Sequence, residues 1–188
     1  MKNKLKILAL SLALSASSAM ATESLVGVEG SYGMMDVDRT DTTANVTTNS
    51  TVDLMGGGIK IGAQSDEYRI FLNANYYYPS ETQYDYVSTY GAELDYLINM
   101  SDSFNLFLGV NVGIANIKQT EAGVSRTSSD NYIGGSGGMN LHLGDNVDFE
   151  LGARLLLLDI SNNKNNVEYT YNSIVSGYAS IIFKYQMD

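Results

Sequence analysis

The 188-residue chain has no cysteine, no tryptophan and a single proline. Without cysteine it can form no disulfide, thiolate metal site or lipid-bearing lipoprotein terminus. Positive charge is also scarce, with 11 Lys and Arg against 21 Asp and Glu. Three of those lysines, Lys2, Lys4 and Lys6, open the chain; without them the balance is 8 against 21, a formal charge of −13. Such a balance excludes nucleic acid as a partner, because phosphate binding needs a basic surface. No segment after residue 21 holds the ~20 consecutive apolar residues of a membrane-spanning helix.

The opening residues read as a secretory leader. The three lysines precede an apolar core over residues 7–14, and Ala19-Met20-Ala21 is a small-x-small cleavage site. This predicts a signal peptide over residues 1–21 and one mature domain over 22–188. The mature part is rich in Gly, Tyr and Asn, which fits strands and turns and not helices.

Residues 104–114, FNLFLGVNVGI, set the pattern for the rest. Phe104, Leu106, Leu108, Val110, Val112 and Ile114 share one parity. Asn105, Phe107, Gly109, Asn111 and Gly113 share the other. A period of two puts these sets on opposite faces of a strand. Seven further stretches repeat it: residues 25–37, 52–63, 68–78, 84–98, 132–143, 147–160 and 169–185. The face of Ile59 and Ile61 opposes Lys60; that of Ile70 and Leu72 opposes Arg69. Leu94 and Tyr96 oppose Glu93 and Asp95, and Leu151 and Leu155 oppose Glu150 and Arg154. In the eighth stretch Ile174 and Ile182 suit the polar face, which leaves its parity open.

Three features go beyond a generic β protein. Polar loops, mostly long, follow strands one, three, five and seven, while tight turns follow two, four and six. Tyr76, Tyr78, Tyr84, Tyr86, Tyr132, Tyr169 and Tyr171 gather at the loop ends of strands. Tyr68, Tyr96, Phe104, Phe149, Phe183 and Tyr185 gather at the turn ends. Two aromatic belts match two lipid–water interfaces. The apolar faces also lack charge, as lipid contact requires: a Lys or Arg there costs about 2–4 kcal/mol at the bilayer midplane. The expectation is all-β: a closed antiparallel eight-stranded transmembrane barrel.

With its leader, eight strands and near-terminal Phe183-Lys184-Tyr185, the chain resembles the small outer-membrane barrels of Gram-negative bacteria. That group includes the transmembrane domain of outer membrane protein A and the opacity-type proteins. The resemblance covers the mature chain and rests on pattern. One departure is that Gln186-Met187-Asp188 follow the terminal aromatic. It implies an outer-membrane location with both termini periplasmic, contact with membrane lipid and lipopolysaccharide, and insertion by the barrel-assembly machinery. Host or cell-surface ligands of the loops are candidate partners. No cofactor is implied.

The candidate lumen set is Glu29, Lys60, Arg69, Glu93, Asp95, Glu150 and Arg154. An eight-stranded barrel is just wide enough for side chains to fill, so these charges must pair. Glu29 with Lys60, Arg69 with Glu93 or Asp95, and Arg154 with Glu150 or Glu29 are the expected partners. A plugged polar lumen predicts a structural or surface-interaction role; a re-pairing gate, and hence a narrow channel, is the alternative. Catalysis is disfavoured. Lipid A deacylases, which resemble such barrels, use a Ser two residues after a His, and here Gly144 stands two after His142. The glycine run before Lys60 lacks the Ser or Thr and the helix of a phosphate loop. No Ca²⁺-loop spacing occurs.

Overall fold

The computed structural model describes residues 22–121, 124–164 and 167–186. The proposed leader lies outside them. Eight strands follow in order: β1 (Glu23–Asp41), β2 (Val46–Gln64), β3 (Tyr68–Pro79), β4 (Tyr84–Ser101), β5 (Phe104–Glu121), β6 (Val124–His142), β7 (Val147–Lys164) and β8 (Val167–Gln186). Each pairs antiparallel with its sequence neighbours, and β1 closes on β8, so the sheet is a closed barrel.

Period-two patterning fixes what faces where. Val28, Ile59, Leu108, Val110, Ile133 and Leu157 stand on the outer wall, each more than half exposed. Soluble proteins do not leave so continuous an apolar surface in water. The fold is a transmembrane barrel whose wall is solvated by lipid. The polar parity turns inward, where Asn73, Asn75, Thr89, Asn111 and Asn140 are buried. In β8, Ile174 and Ile182 are buried with Ser176 and Ser180, while Val175 and Ile181 face out; this resolves the open parity.

Inward glycines clear space for two large rings. A Cβ on Gly91 or Gly113 would lie 2.1 Å from the Tyr132 hydroxyl and 2.6 Å from its Cζ, respectively. One on Gly152 would lie 2.5 Å from Tyr178 Cζ. Tyr132 and Tyr178 are thus seated on backbone.

Two expectations are corrected. The polar stretches after the first and fifth strands are not long loops but paired strand. β1 and β2 stay in register to Asp41↔Val46, and β5 and β6 to Glu121↔Val124. Thr- and Ser-rich sequence satisfies a ladder as well as apolar sequence does; beyond the lipid, no oily face is needed to mark it. The second correction concerns the aromatic belt. Tyr84, Tyr132, Tyr169 and Tyr171 do not face lipid; all are buried in the lumen. The β1–β8 register slips at Asn172, and the β4–β5 register slips at Asp85. A one-residue bulge reverses every side chain beyond it, which carries Tyr169, Tyr171 and Tyr84 inward. Tyr132 needs no bulge: it shares the inward parity of Gly134 and Ser136, and parity outweighs its height.

Candidate functional site: the filled lumen

The lumen is filled in two layers. Toward the end that carries the tight turns, Glu23 and Gln186 lies a layer of charge. Lys60, Arg69, Arg154, Glu29, Glu93, Asp95 and Glu150 are all buried there, reaching in from β1, β2, β3, β4 and β7. Lys60 Nζ donates to Glu150 Oε1 at 2.7 Å and lies 3.4 Å from Glu29 Oε2. Arg69 Nε donates to Asp95 Oδ2 at 2.7 Å, and its Nη2 pairs with Glu150. Arg154 grips Glu29 with both terminal nitrogens, at 3.0 and 3.2 Å, and reaches Glu93 at 3.3 Å. Of the expected pairings, Glu29 with Lys60, Arg69 with Asp95 and Arg154 with Glu29 come together. The bonds from Lys60 and Arg69 to Glu150 and from Arg154 to Glu93 span the lumen, which neighbour-by-neighbour reasoning along the sheet does not reach.

Aromatic faces complete the desolvation. Lys60 Nζ lies 5.1 and 5.0 Å from the Phe71 and Tyr178 ring centres. The guanidinium of Arg69 is 4.5 Å from Phe107, and that of Arg154 is 4.5 Å from Tyr178. A cation over a ring keeps attraction after losing water. Neutral donors add to Glu93: Ser136 Oγ donates to its Oε1 at 2.8 Å and Asn73 Nδ2 to its Oε2 at 3.4 Å, whereas Asp95 Oδ1 has no hydrogen-bond partner among the described residues.

The second layer is apolar and lies toward the long-hairpin end. Met35, Val37, Val52, Leu54, Tyr77, Val87, Ile117, Leu156, Ile160 and Ile174 pack there around Tyr84, Tyr132, Tyr169 and Tyr171. The Tyr84 and Tyr171 rings meet edge-on at 6.2 Å. The expectation of a polar lumen therefore holds for one half only; the inward parity of β1, β2 and β7 turns apolar beyond mid-barrel.

A satellite at the turn-end mouth was on the inward parity but outside the predicted set. Asp148 accepts from Asn140 Nδ2 at 2.8 Å, pairs with Lys184 at 3.0 Å, and lies 2.8 Å from His142 Nδ1. The other His142 nitrogen is 3.4 Å from the Asn105 amide. An amide is no nucleophile, so among the described residues this carboxylate–histidine pair holds no third member of a hydrolytic triad.

The outer wall carries the remaining predicted aromatics. Tyr76, Tyr78 and Tyr86 cluster at ring separations of 5.0 and 5.3 Å. At the other rim Tyr68 packs on Tyr96 at 5.3 Å, with Phe183 and Tyr185 exposed and Phe104 and Phe149 half-buried.

The outer membrane protein beta-barrel domain matches residues 7–179 of this sequence. The chain belongs to that family. As a member, it is a protein of the bacterial outer membrane. Solved barrels of the same fold include Neisserial surface protein A, at 16% identity and a TM-score of 0.62 over 87% of this chain and 97% of that one. The N-terminal β-barrel domain of OprF from Pseudomonas aeruginosa aligns at 13% identity and a TM-score of 0.53, covering 86% and 97%. Ail, the attachment invasion locus protein of Yersinia pestis, aligns at 10% identity and a TM-score of 0.50, covering 88% and 100%. A comparison with curated proteins gave no match. At these identities the likeness is one of fold, and residue roles in this family member rest on its own geometry.

Proposed function

We propose that this barrel is a closed, non-enzymatic outer-membrane protein that acts through its hairpins, as a surface-interaction or membrane-structural element. The observation that supports this reading is the double plug. A solute would have to break the ion pairs of Lys60, Arg69 and Arg154 and also part the packed tyrosines above them. Outer-membrane barrels carry short periplasmic turns and longer outside loops, so the long hairpins are assigned to the cell exterior and both termini to the periplasm. Lipid and lipopolysaccharide are the partners of the wall, with Tyr76, Tyr78 and Tyr86 at one interface and Tyr68, Tyr96 and Tyr185 at the other. The barrel-assembly machinery is the partner during insertion. The Yersinia relative's name, attachment invasion locus protein, points the same way.

Conductance of the refolded chain in a planar lipid bilayer tests the reading. The wild type is expected to give no steady openings. Because the plugs act in series, Arg154→Ala alone and Tyr171→Ala alone should also stay closed, while the double variant leaks. Large, steady openings of the wild type would instead establish the narrow channel. The non-enzymatic assignment has its own check: lipid A mass spectra should be identical with and without expression of the chain, and a change abolished by His142→Ala would overturn it.

A further inference from the structure

The ladder between β2 and β3 stops early. Its last pair is Leu54↔Pro79, whereas β2 continues on the β1 side to Val46↔Asp41. Pro79, the chain's only proline, has no N–H with which to extend the ladder. Among the described residues no strand pairs with 46–53 on that side. The β3–β4 hairpin sits below, tied on by the Ser80 N–H donating to the Asp53 carbonyl at 2.9 Å. That bond fixes the phase of the edge. In a strand alternate residues point their N–H and C=O to the same side, so Thr51, Asn49 and Thr47 share the outward aim of Asp53. The even residues serve β1.

This edge is not shaded. The Thr51 hydroxyl donates to Asp36 at 3.4 Å, the Asn49 amide to Asp38 at 2.5 Å, and the Thr47 and Thr40 hydroxyls meet at 3.0 Å. All three side chains are thus drawn back over β1. Residues 46–52, VTTNSTV, hold no charge, glycine or proline, and the ladder to β1 has no bulge. Those are the devices by which proteins protect an edge strand. The other bare edges, on β6 above Tyr132 and on the facing part of β7 beyond Leu158, differ: Arg126 and Asp130 lie along β6, and Asn162 of β7 bridges to Ser128 at 3.1 Å. The β5 edge is covered, with Thr120 N–H donating to the Gln83 carbonyl at 2.9 Å.

Charge selects the occupant. Asp36, Asp38, Asp41, Asp53 and Glu81 surround the edge, with Arg39 the one cation on these segments. A second copy would bring the same acidic rim and be repelled. We propose that residues 47–53 of β2 form a strand-addition site for an extended, cationic polypeptide segment. Main-chain bonds from Thr47, Asn49 and Thr51 would supply affinity, and the acidic rim would select basic side chains. The proposal rests on the surface-interaction reading above and names its site.

The probe is a short end-blocked peptide alternating lysine and valine, offered to the full chain refolded in lipid nanodiscs. Anisotropy should report saturable binding, and the amides of Thr47, Asn49 and Thr51 should slow in hydrogen exchange. An alternating glutamate–valine peptide should not bind. Asn49→Pro removes an edge N–H without touching the β1 ladder, and should weaken binding about tenfold or more. Thr47→Lys with Thr51→Lys should do the same by repulsion, with unchanged heat-modifiable migration showing that the barrel is intact. Absence of saturable binding to the wild type overturns the proposal, as does equal binding by intact barrels of both variants. Protection on the β5–β6 or β7–β8 hairpins instead overturns the edge but spares surface interaction. Failure of the wider reading would show separately, as steady wild-type conductance.

Discussion

The ion pairs predict an order of damage. Lys60 holds Glu150 and Glu29, but each has a second cation: Arg69 for Glu150 and Arg154 for Glu29. Removing Lys60 thus strips no carboxylate of its last positive partner. Arg154 is different. Among the described residues it is the only cation on Glu93, which would retain just the neutral donors Ser136 and Asn73, and Glu29 would be left with Lys60 at 3.4 Å. Breaking a buried pair from one side costs about 3–5 kcal/mol. Lys60→Met should therefore fall near ~3 kcal/mol, and Arg154→Met near or above ~5 kcal/mol. Three cations face four carboxylates in this layer, so either change worsens an existing excess of negative charge. Lys60→Met with Glu150→Gln should then cost less than the sum of its parts, with a coupling of about 1–3 kcal/mol. Equilibrium urea unfolding in lipid vesicles, followed by tyrosine fluorescence, measures all of these. Arg39→Ala on the exposed outer hairpin is the matched control and should change little. A Lys60 cost equal to the Arg154 cost, or strict additivity in the double variant, would refute a shared network.

Other outcomes follow from the packing. Gly152→Ala should destabilise by about 1–3 kcal/mol, because Tyr178 is held by Lys60 and Arg154 and cannot withdraw; Tyr178→Leu should rescue it. Gly30→Ala on the outer wall, where an added Cβ meets nothing within 4 Å, should be neutral or stabilising by about 0.4–1 kcal/mol in the same assay. Tyr78→Ala should weaken membrane anchoring at the hairpin-side interface, read as faster extraction by mild detergent, whereas Tyr84→Ala should instead loosen the lumen and leave extraction unchanged. At the β1–β2 tip, Asp41 accepts the N–H groups of Thr43 and Ala44 at 2.9 and 3.0 Å, which lowers its carboxyl pKa. Because the folded value lies below the ordinary 3.8, order at the tip is complete above that pH and lost as pH falls below it. Amide exchange of Thr43 and Ala44 should therefore stay protected down to pH 3.8 and lose protection only as pH falls through the folded value below it.

Parity was the legible part of this protein. It put Glu29, Lys60, Arg69, Glu93, Asp95, Glu150 and Arg154 inward, and the structure gathers all seven. The same alternation runs through Phe107, Asp148 and Lys184, which the structure also buries. What the sequence hid was what interrupts parity. Nothing marks Asn172 or Asp85 as a bulge, since any polar residue can be left unpaired there, so Tyr169, Tyr171 and Tyr84 read as lipid-facing. Tyr132 stands at the height of the aromatic belt but on the inward parity, and parity decides where its ring points. The upper ladders were hidden for another reason: outside lipid a strand carries no oily stripe, so DRTDTTANVTTNST reads like loop and folds as hairpin. Cross-lumen partners such as Arg154 and Glu93 depend on side-chain reach, which strand order does not encode.

The charged layer also bears on the order of assembly. Lys60 meets Glu150 across 90 positions of chain, and Arg154 meets Glu29 across 125. Neither bond can form before β7 has arrived, and the layer is sealed only when β8 joins β1. Until then only Lys60–Glu29 and Arg69–Asp95, on neighbouring strands, can pair, and Glu93, Glu150 and Arg154 would face hydrocarbon or the headgroup zone without their partners, at a cost that weighs against a partial barrel in lipid. A half-built barrel is thus held at the membrane surface, and translocation of the wall becomes coupled to its closure. The ion pairs act as a latch in time: they penalise every route in which insertion runs ahead of the last strand.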